Sequence, residues 1–144
     1  MRKKEEKLDS RANFTHNGIL GGMMLEPQRI MSKVGAIFIP VCDIEKAKNW
    51  YCLILGLEPN FDIIAGHLCC IPMDNNGLNL VLDSKIYTKD SYFRTPMFHF
   101  NTDNIQESFN FMKDQGVEMI SDIEHGHWFN FKDPDGNMLM ICKC

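Results

Sequence analysis

The chain has 144 residues, of which 44% are hydrophobic and 24% are charged, and its formal net charge is −4. This length and composition are typical of one folded domain with its own hydrophobic core. The acidic balance argues against nucleic acid as the main partner, and no apolar stretch is long enough to span a membrane.

Residues 1–30 differ in character from the rest of the chain. They contain an excess of basic over acidic side chains and several glycines, and they show no sustained apolar period. They also lack the apolar stretch of a secretory signal. We therefore expect a disordered or loosely docked N-terminal extension, followed by a single domain over residues 31–144. A basic arm for an acidic partner is the alternative.

The folded part is predicted to consist of two repeated modules, residues 34–83 and 95–143, joined by a polar linker over residues 84–94. Each module opens with an apolar strand, over residues 36–41 and 97–102. In each, apolar residues then recur at three- and four-residue spacing, which predicts an amphipathic helix. The landmarks keep an offset close to 60 residues, as between Gly56 and Gly116, so a duplication explains their order better than coincidence does.

Local signals bound the two helices and the strands that follow. Asp43 and Asn104 precede the isoleucine that opens each helix, and Gly56 and Gly116 are placed to end it in a left-handed conformation. Three short strands are predicted after each helix, and the last hairpin of each module turns through a glycine. The predicted strands are residues 60–65, 67–73 and 78–83 in module one, and 117–123, 126–132 and 138–142 in module two.

The cysteines show neither a CxxC pair nor the spacing of a disulfide framework. They are Cys42, Cys52, Cys69, Cys70, Cys142 and Cys144. A chain of this length needs no disulfides to fold, so we expect six free thiols in a reducing, cytoplasmic environment.

Two segments resemble a known superfamily. The strand-to-helix stretch over residues 41–57 and the Asp133-Pro134-Asp135-Gly136-Asn137 turn before the last strand are similar to the vicinal oxygen chelate proteins. These include glyoxalases, bleomycin-resistance proteins and extradiol dioxygenases. The resemblance covers about residues 34–143. It implies an α+β fold in which two βαβββ modules form a cup-shaped mixed sheet with the helices outside, and it implies a homodimer.

Metal-dependent members of that superfamily place four ligands on strands that face the cup. The resemblance and the internal repeat together locate those positions at Ala36, Val81, Met97 and Met140. Alanine and valine have no donor atom, and a methionine thioether is a poor ligand for a hard divalent ion. We therefore expect no metal centre of this type and no cofactor.

Strand alternation predicts which polar and aromatic groups line the cup. Met97, His99 and Asn101 share one face of their strand, whereas Phe98 and Phe100 face the helices. Histidine titrates near neutral pH, so His99 suits the orientation of an acidic ligand or acid–base chemistry, and a hydrogen-bonded structural histidine is the alternative.

The second half of the chain adds an aromatic and an amide group. By resemblance to the extradiol enzymes, Asn130 faces the cup, and strand alternation puts Trp128 on the same face and His127 on the other. Trp128 is expected to stack on a planar ligand while Asn130 fixes a polar edge, unless Trp128 only fills the cup. Whether His125 and His127 face the cup is left open, although alternation favours the helix side for His127.

The candidate ligand-binding residues are His67, Met97, His99, Asn101, Trp128, Asn130 and Met140. The repeat also points to Cys69 and Ile71 beside His67. Met140, Cys142 and Cys144 share a face, for which a core role and a soft ion such as Cu(I) are the alternatives.

Three functions fit these observations. The first is a metal-independent small-molecule binding protein of the glyoxalase and bleomycin-resistance type, with its ligand in the sheet cup. The second is a lyase, isomerase or dioxygenase of the same superfamily. The third is a non-catalytic interaction or regulatory module whose cup is filled by its own side chains.

Overall fold

The computed structural model describes residues 19–20, 23–24, 29–74 and 77–144. The chain divides after Val34 into two units. In the first unit, strand β1 (Ile19–Leu20) pairs with strand β2 (Met23–Met24) in antiparallel orientation. The predicted N-terminal extension otherwise falls almost wholly outside the described residues.

The second unit begins with a module of three strands and one helix. In chain order these are β3 (Ala36–Pro40), α1 (Ile44–Leu55), β4 (Leu68–Pro72) and β5 (Asn79–Asp83). The sheet order is β3-β5-β4, with β3 parallel and β4 antiparallel to the central strand β5. The opening strand of the module thus lies beside its closing strand.

The second module repeats this arrangement with one additional short strand. It contains β6 (His99–Asn101), α2 (Ile105–Asp114), β7 (Glu118–Met119), β8 (Trp128–Lys132) and β9 (Met138–Cys142). The sheet order is β6-β9-β8-β7, and β6 is again parallel to the closing strand. The predicted α+β class with two repeated modules is confirmed, whereas the cup shape remains a prediction.

The ends of the two helices follow the predicted signals. The Asp43 carboxylate accepts hydrogen bonds from the backbone N–H groups of Glu45 and Lys46, both at 3.1 Å. The Asn104 side-chain oxygen accepts from the Glu107 N–H at 3.1 Å. At the other ends, Gly56 and Gly116 have φ values of 70° and 76°. A residue with a Cβ adopts this left-handed conformation at a cost, so glycine is favoured there.

The first strand predicted after each helix is wrong in extent. Residues 60–65 form no strand, and only Ile64 makes an isolated bridge, to Leu68. The chain bends earlier, where the Asn60 N–H donates to the Glu58 carbonyl at 2.8 Å. In module two the strand shrinks from residues 117–123 to the two residues of β7. Alternation alone did not reveal these local turns.

The turns that precede β4 and β8 share an uncommon backbone conformation. Ala65 and His125 have φ values of 53° and 50°, and each is followed by a glycine with positive φ. Few residues with a Cβ adopt such angles, so their recurrence 60 positions apart supports the duplication independently of side-chain pattern. Residues 75–76 of the predicted hairpin in module one lie outside the described part of the chain.

The hydrophobic core lies between the helices and one face of the sheets. Its fully buried members include Tyr51 of α1, Met112 of α2 and alternate residues of the strands, such as Phe129, Phe131 and Leu139. Within the described residues, no helix is both long and apolar enough to cross a membrane.

A buried polar network connects the turn before β9 with module one. Asn137 is fully buried, and its side-chain N–H groups donate to the Pro40 carbonyl at 2.9 Å and to the Asp133 carboxylate at 2.8 Å. Its side-chain oxygen accepts the Phe93 N–H at 2.9 Å. The Tyr51 hydroxyl also donates to the Asp133 carboxylate, at 2.5 Å from Oδ2. We call Tyr51, Asp133 and Asn137 the junction.

The hydrogen-bonding groups of the junction are well satisfied, which explains why a carboxylate that is 3% exposed is tolerated there. Asp133 Oδ1 also accepts the backbone N–H groups of Asp135 and Asn137. Burial and the neighbouring Asp133 carboxylate both raise the pKa of Tyr51 well above its usual value, so its hydroxyl stays protonated as a donor. The DPDGN motif thus has a structural role.

Candidate functional site

The second sheet has one buried face and one face on which several side chains are partly exposed. Phe129, Phe131, Leu139 and Ile141 point into the core. The alternate positions of β6, β8 and β9 point the other way. We call this second surface the open face, and it consists of His99, Asn101, Trp128, Asn130, Met138, Met140 and Cys142.

Strand pairing brings most of the predicted ligand-binding residues together. Met140 lies opposite His99 on one side and opposite Asn130 on the other, so the three side chains form one row across the sheet. The next row consists of Asn101, Cys142 and Trp128. Direct partners on neighbouring strands lie about 4.5–5.5 Å apart and share a face, so these rows form a continuous surface.

Asn130 carries an unsatisfied acceptor on this face. Its side-chain Oδ1 is inaccessible to solvent and has no hydrogen-bond partner among the described residues. Its backbone is held firmly, because its N–H donates to the Ser121 hydroxyl at 3.1 Å and its carbonyl accepts from the Ile120 N–H at 2.9 Å. A buried acceptor without a donor costs about 1–3 kcal/mol, and an N–H or O–H that reaches it after a small rotation of the side chain would recover that cost.

Trp128 presents an aromatic surface beside this acceptor. Its ring contacts the ring of His125, with a centroid distance of 5.1 Å and an interplanar angle of 44°. His125 lies in the left-handed turn before β8 and is exposed. The prediction that His127 faces the helices is wrong: it precedes β8 and its side chain is exposed, while its carbonyl accepts the Lys143 N–H at 2.7 Å.

The first residues of the strand predicted at 97–102 lie outside β6. Met97 is in the preceding bend and is 66% exposed. Phe98 and Phe100 pack against the core as predicted, with their rings in edge contact at 5.2 Å. The exposed side chains of His99 and Asn101 agree with the predicted alternation.

His67 belongs to module one and is held by a partner that the sequence did not reveal. Its Nδ1 lies 2.8 Å from Asp83 Oδ1. Burial would raise the pKa of Asp83, but the hydrogen bonds from His67 and from the Lys85 N–H outweigh it, and the pKa is lowered. The contact pairs Nδ1 of His67 with a buried carboxylate, which favours a structural histidine at this position.

The assignment of Cys69 and Ile71 to the cup is wrong. Both side chains are fully buried in the hydrophobic core, where Cys69 lies near Cys52 of α1. Leu68 has the position equivalent to Trp128, because each closes the turn before its strand through a bridge to the residue four positions earlier. The predicted correspondence between the two modules was therefore displaced by one residue at β4. A displacement of one residue reverses the face of every side chain on a strand.

The family's metal-ligand positions do not fit a divalent cation. Ala36, Val81, Met97 and Met140 offer only methyl, isopropyl and thioether groups. A Zn²⁺, Ni²⁺ or Fe²⁺ centre of that type needs nitrogen or oxygen donors. The chain therefore provides no side-chain set for a cation at these four positions.

The cysteine prediction needs one correction. Cys142 and Cys144 are joined by a disulfide, whereas Cys42, Cys52, Cys69 and Cys70 are free. The two paired residues are only two positions apart, a spacing that the search for CxxC and framework patterns did not cover. Their sulfur atoms and a ring nitrogen of His99 all lie within 4.8 Å of one another.

The cavities lie elsewhere. One of ≈ 510 Å³ is lined by Trp50, Glu118, Lys132 and the turn over residues 133–136. Another of ≈ 210 Å³ is lined by Cys42 and Asp43, by Lys46 and other residues of α1, and by the same turn. Both are beside the junction and include none of the predicted ligand-binding residues. We place the candidate site on the open face, because most of the predicted ligand-binding side chains lie together there, although neither cavity does.

Sequence reasoning missed Asp83, Ser121 and the junction residues. In the structure Asp83 has the position equivalent to Cys142, because the Val41 N–H donates to the Asp83 carbonyl as the Thr102 N–H donates to the Cys142 carbonyl, but no sequence pattern marked its contact with His67. Nothing in the local pattern pointed to Ser121, whose contact with Asn130 depends on the bend after β7.

Comparisons with known proteins agree with this architecture. The family model described as Glyoxalase/Bleomycin resistance protein/Dioxygenase superfamily matches residues 33–141. A comparison with curated protein sequences finds no match.

Solved structures with a similar fold include binding proteins and enzymes. TnmS3, an antibiotic binding protein from Streptomyces sp. CB03234, has a TM-score of 0.62 and 22% identity, covering 81% of this chain and 98% of that one. Lactoylglutathione lyase from Agrobacterium tumefaciens has a TM-score of 0.60 and 15% identity, covering 79% and 95%. Glyoxalase I of Leishmania major has a TM-score of 0.56 and 18% identity, covering 78% and 87%. At these identities the likeness shows the fold.

Proposed function

We propose that this chain, which belongs to the Glyoxalase/Bleomycin resistance protein/Dioxygenase superfamily, binds a small, partly aromatic molecule on its open face without a metal ion. The observation that carries the proposal is the unsatisfied Oδ1 of Asn130 in a row with His99 and Met140. A native protein rarely leaves such an atom unpartnered unless a ligand or water completes it.

The side chains around Asn130 define the chemistry of the ligand. Trp128 offers a flat apolar surface for a planar ring, and Met140 adapts to irregular apolar contours. Asn130 Oδ1 accepts a hydrogen bond, so the ligand carries an N–H or O–H donor near its ring. His99 and Asn101 stand at the exposed side of the rows, where they contact a polar or acidic substituent.

Proteins of similar fold include an antibiotic binding protein as well as a lactoylglutathione lyase, so the preference for binding over turnover rests on the residues of the site. An enzyme of the glyoxalase or dioxygenase type would use a divalent ion at the family's ligand positions, and Ala36 and Val81 cannot ligate one. The two cysteines near His99, Cys142 and Cys144, are joined in a disulfide and in that state offer no thiolate nucleophile. A lyase, isomerase or dioxygenase activity is therefore the weaker proposal.

A second copy of the chain is proposed to pack against exposed apolar side chains of this one and to complete the cup. Phe38, which points away from the core of the first sheet, is 51% exposed, and Met97 is 66% exposed. Apolar groups left open to this degree are typical of surfaces that become covered. Light scattering coupled to size-exclusion chromatography is expected to give twice the chain mass, and a monomer would contradict the shared cup.

A cytoplasmic location is also proposed, since Cys42, Cys52, Cys69 and Cys70 are free thiols and such thiols persist in a reducing compartment. Cell fractionation followed by immunodetection tests this location directly.

The binding proposal is tested with a matched pair of probes in the presence of EDTA. 2-Naphthol has a flat ring and an O–H donor, and its methyl ether has the same ring without the donor. We expect 2-naphthol to bind about fivefold more tightly in calorimetric titration, because one hydrogen bond contributes about 1 kcal/mol. In the Asn130→Leu variant that difference should disappear, and the Trp128→Ala variant should bind neither probe.

Equal affinity of the two probes for the wild-type protein would contradict the role of Asn130. A requirement for added Zn²⁺ or Ni²⁺ would contradict metal-independent binding and favour an enzyme. If neither 2-naphthol nor a wider panel of planar aromatic alcohols and amides binds, the interaction-module alternative is favoured.

A further inference from the structure

Three soft donor groups meet at the edge of the open face. The Sγ atoms of Cys142 and Cys144 and a ring nitrogen of His99 all lie within 4.8 Å of one another. Cys142 is buried, whereas His99 and Cys144 are exposed. The cluster is thus anchored in β9 on one side and open to solvent on the other, which gives an ion a path of entry.

This cluster is distinct from the metal-ligand positions of the superfamily. Those positions in module two are Met97 and Met140, and the cluster uses residues two places further along each strand. Because side chains alternate along a strand, a shift of two residues keeps the same face. A metal site at the cluster would therefore lie on the same face of the sheet as the superfamily's ligand positions, but its ligand atoms would come from different residues.

The donor types select the ion. Thiolate and thioether sulfur favour Cu⁺ over hard divalent ions, and imidazole is compatible with it. Met140 lies directly opposite His99 and one alternation from Cys142 on the same face, so a thioether is also at hand. We propose that Cys142, Cys144 and His99 form a redox-gated binding site for Cu⁺, with Met140 as an adjacent soft donor.

The disulfide is the gate. While Cys142 and Cys144 are joined, neither sulfur is available as a thiolate ligand. A dithiol reductant transfers two electrons and two protons, which breaks the S–S bond, yields two thiols and converts the reductant to its own disulfide. Cu⁺ then binds with loss of the two thiol protons. A small disulfide oxidant reverses the sequence: it takes two electrons from the two cysteine thiolates and two protons from solvent and becomes two thiols, the Cys142–Cys144 bond re-forms, and copper leaves still as Cu⁺.

The remaining cysteines are less suited to this role. Cys52 and Cys69 are buried, and burial first of all raises the pKa of Cys69 to about 11, so it stays a protonated thiol at neutral pH. Burial also raises the pKa of Cys52. Cys42 is exposed and Cys70 half-buried, and neither belongs to a cluster of three metal-binding groups among the described residues.

The test uses the full chain with Cys42→Ser and Cys70→Ser, which removes the two accessible free thiols. Protein reduced with dithiothreitol and freed of it under nitrogen is titrated against the coloured Cu⁺–bicinchoninate complex. We expect the reduced protein to withdraw one equivalent of Cu⁺ and the oxidised protein none. Changing Cys144→Ser or His99→Ala should weaken Cu⁺ binding more than about 100-fold, since loss of even an outer-shell partner costs 10–100-fold.

Both single variants alter exposed side chains, so loss of folding does not confuse the result, and circular dichroism verifies this. Equal uptake by the oxidised and reduced proteins, or one-equivalent uptake retained after Cys144→Ser, would overturn the proposal. No organic ligand is present in this experiment. Its failure would therefore leave the proposed binding function untouched, and failure of the naphthol titration would leave this site untouched.

Discussion

The junction and the open face both contain an asparagine on or beside the second sheet, yet the two side chains are treated in opposite ways. Asn137 satisfies its side-chain oxygen and nitrogen with Phe93, Pro40 and Asp133. Asn130 leaves its Oδ1 buried without a partner. A satisfied polar group stabilises a fold, whereas an unsatisfied one is a cost that binding can offset. The hydrogen bonds of each asparagine thus distinguish a structural role from a proposed binding role, which the residue type alone does not.

The largest effect is expected from removal of the satisfied amide. Asn137→Leu leaves the Pro40 carbonyl, the Phe93 N–H and part of the Asp133 carboxylate without their partners. We expect the free energy of unfolding to fall by about 3 kcal/mol or more, measured by urea denaturation. A loss below about 1 kcal/mol would mean that the junction does not hold the two modules as described.

A smaller loss is expected from Tyr51→Phe, which deletes only the hydroxyl that donates to Asp133. The carboxylate keeps its bonds from Asn137 and from the turn, so we expect a loss of about 1–2 kcal/mol. Tyr92→Phe is a suitable control, because the Arg94 guanidinium contacts the ring of Tyr92 at 4.6 Å and phenylalanine retains that ring. Equal losses in the two variants would remove the special role of the buried hydroxyl.

Asn130→Leu is expected to change stability in the opposite direction from Asn137→Leu. Leucine has nearly the shape of asparagine and no acceptor, so the variant should be as stable as the wild type or more stable by up to about 1 kcal/mol. The same urea titration measures it against Asn137→Leu. A large destabilisation would show that Oδ1 has a structural partner, and the argument for a ligand at this position would fail.

The smallest effect on stability is expected at Asp83, a buried carboxylate that has a hydrogen-bond partner in His67. Its pKa is lowered in the folded state, so its contribution to stability is present above its unfolded pKa of about 3.8 and is lost as pH falls through the folded value. Asp83→Asn should therefore make the decline in stability below pH 4 less steep, measured by urea denaturation at a series of pH values. Asp62→Asn, at an exposed position, should leave that slope nearly unchanged.

The local architecture was predictable because it depends on neighbours in sequence. The cap residues Asp43 and Asn104 bond N–H groups two or three positions away, and the sequence pattern contains that information. The repeat similarly located the strands that bear His99, Asn130 and Met140.

The rest depended on contacts between distant residues. Tyr51 and Asp133 are 82 positions apart, and Asn137 and Pro40 are 97 apart. No local pattern reports such pairs. The one-residue displacement of β4 arose because the positive-φ turn at Ala65 sets the register there, and alanine gives no sign of that conformation. The Cys142–Cys144 bond was missed because the expected spacings were those of longer motifs.

Backbone amide NMR of the ¹⁵N-labelled chain, titrated with 2-naphthol in the presence of EDTA, tests the central claim most directly. The account predicts that the largest shifts occur at Asn130, Met140 and the Trp128 indole N–H, and that the methyl ether at the same concentration gives smaller shifts, above all at Asn130. Shifts confined to the cavities beside the junction, around Trp50 and Lys132, would contradict a binding site on the open face.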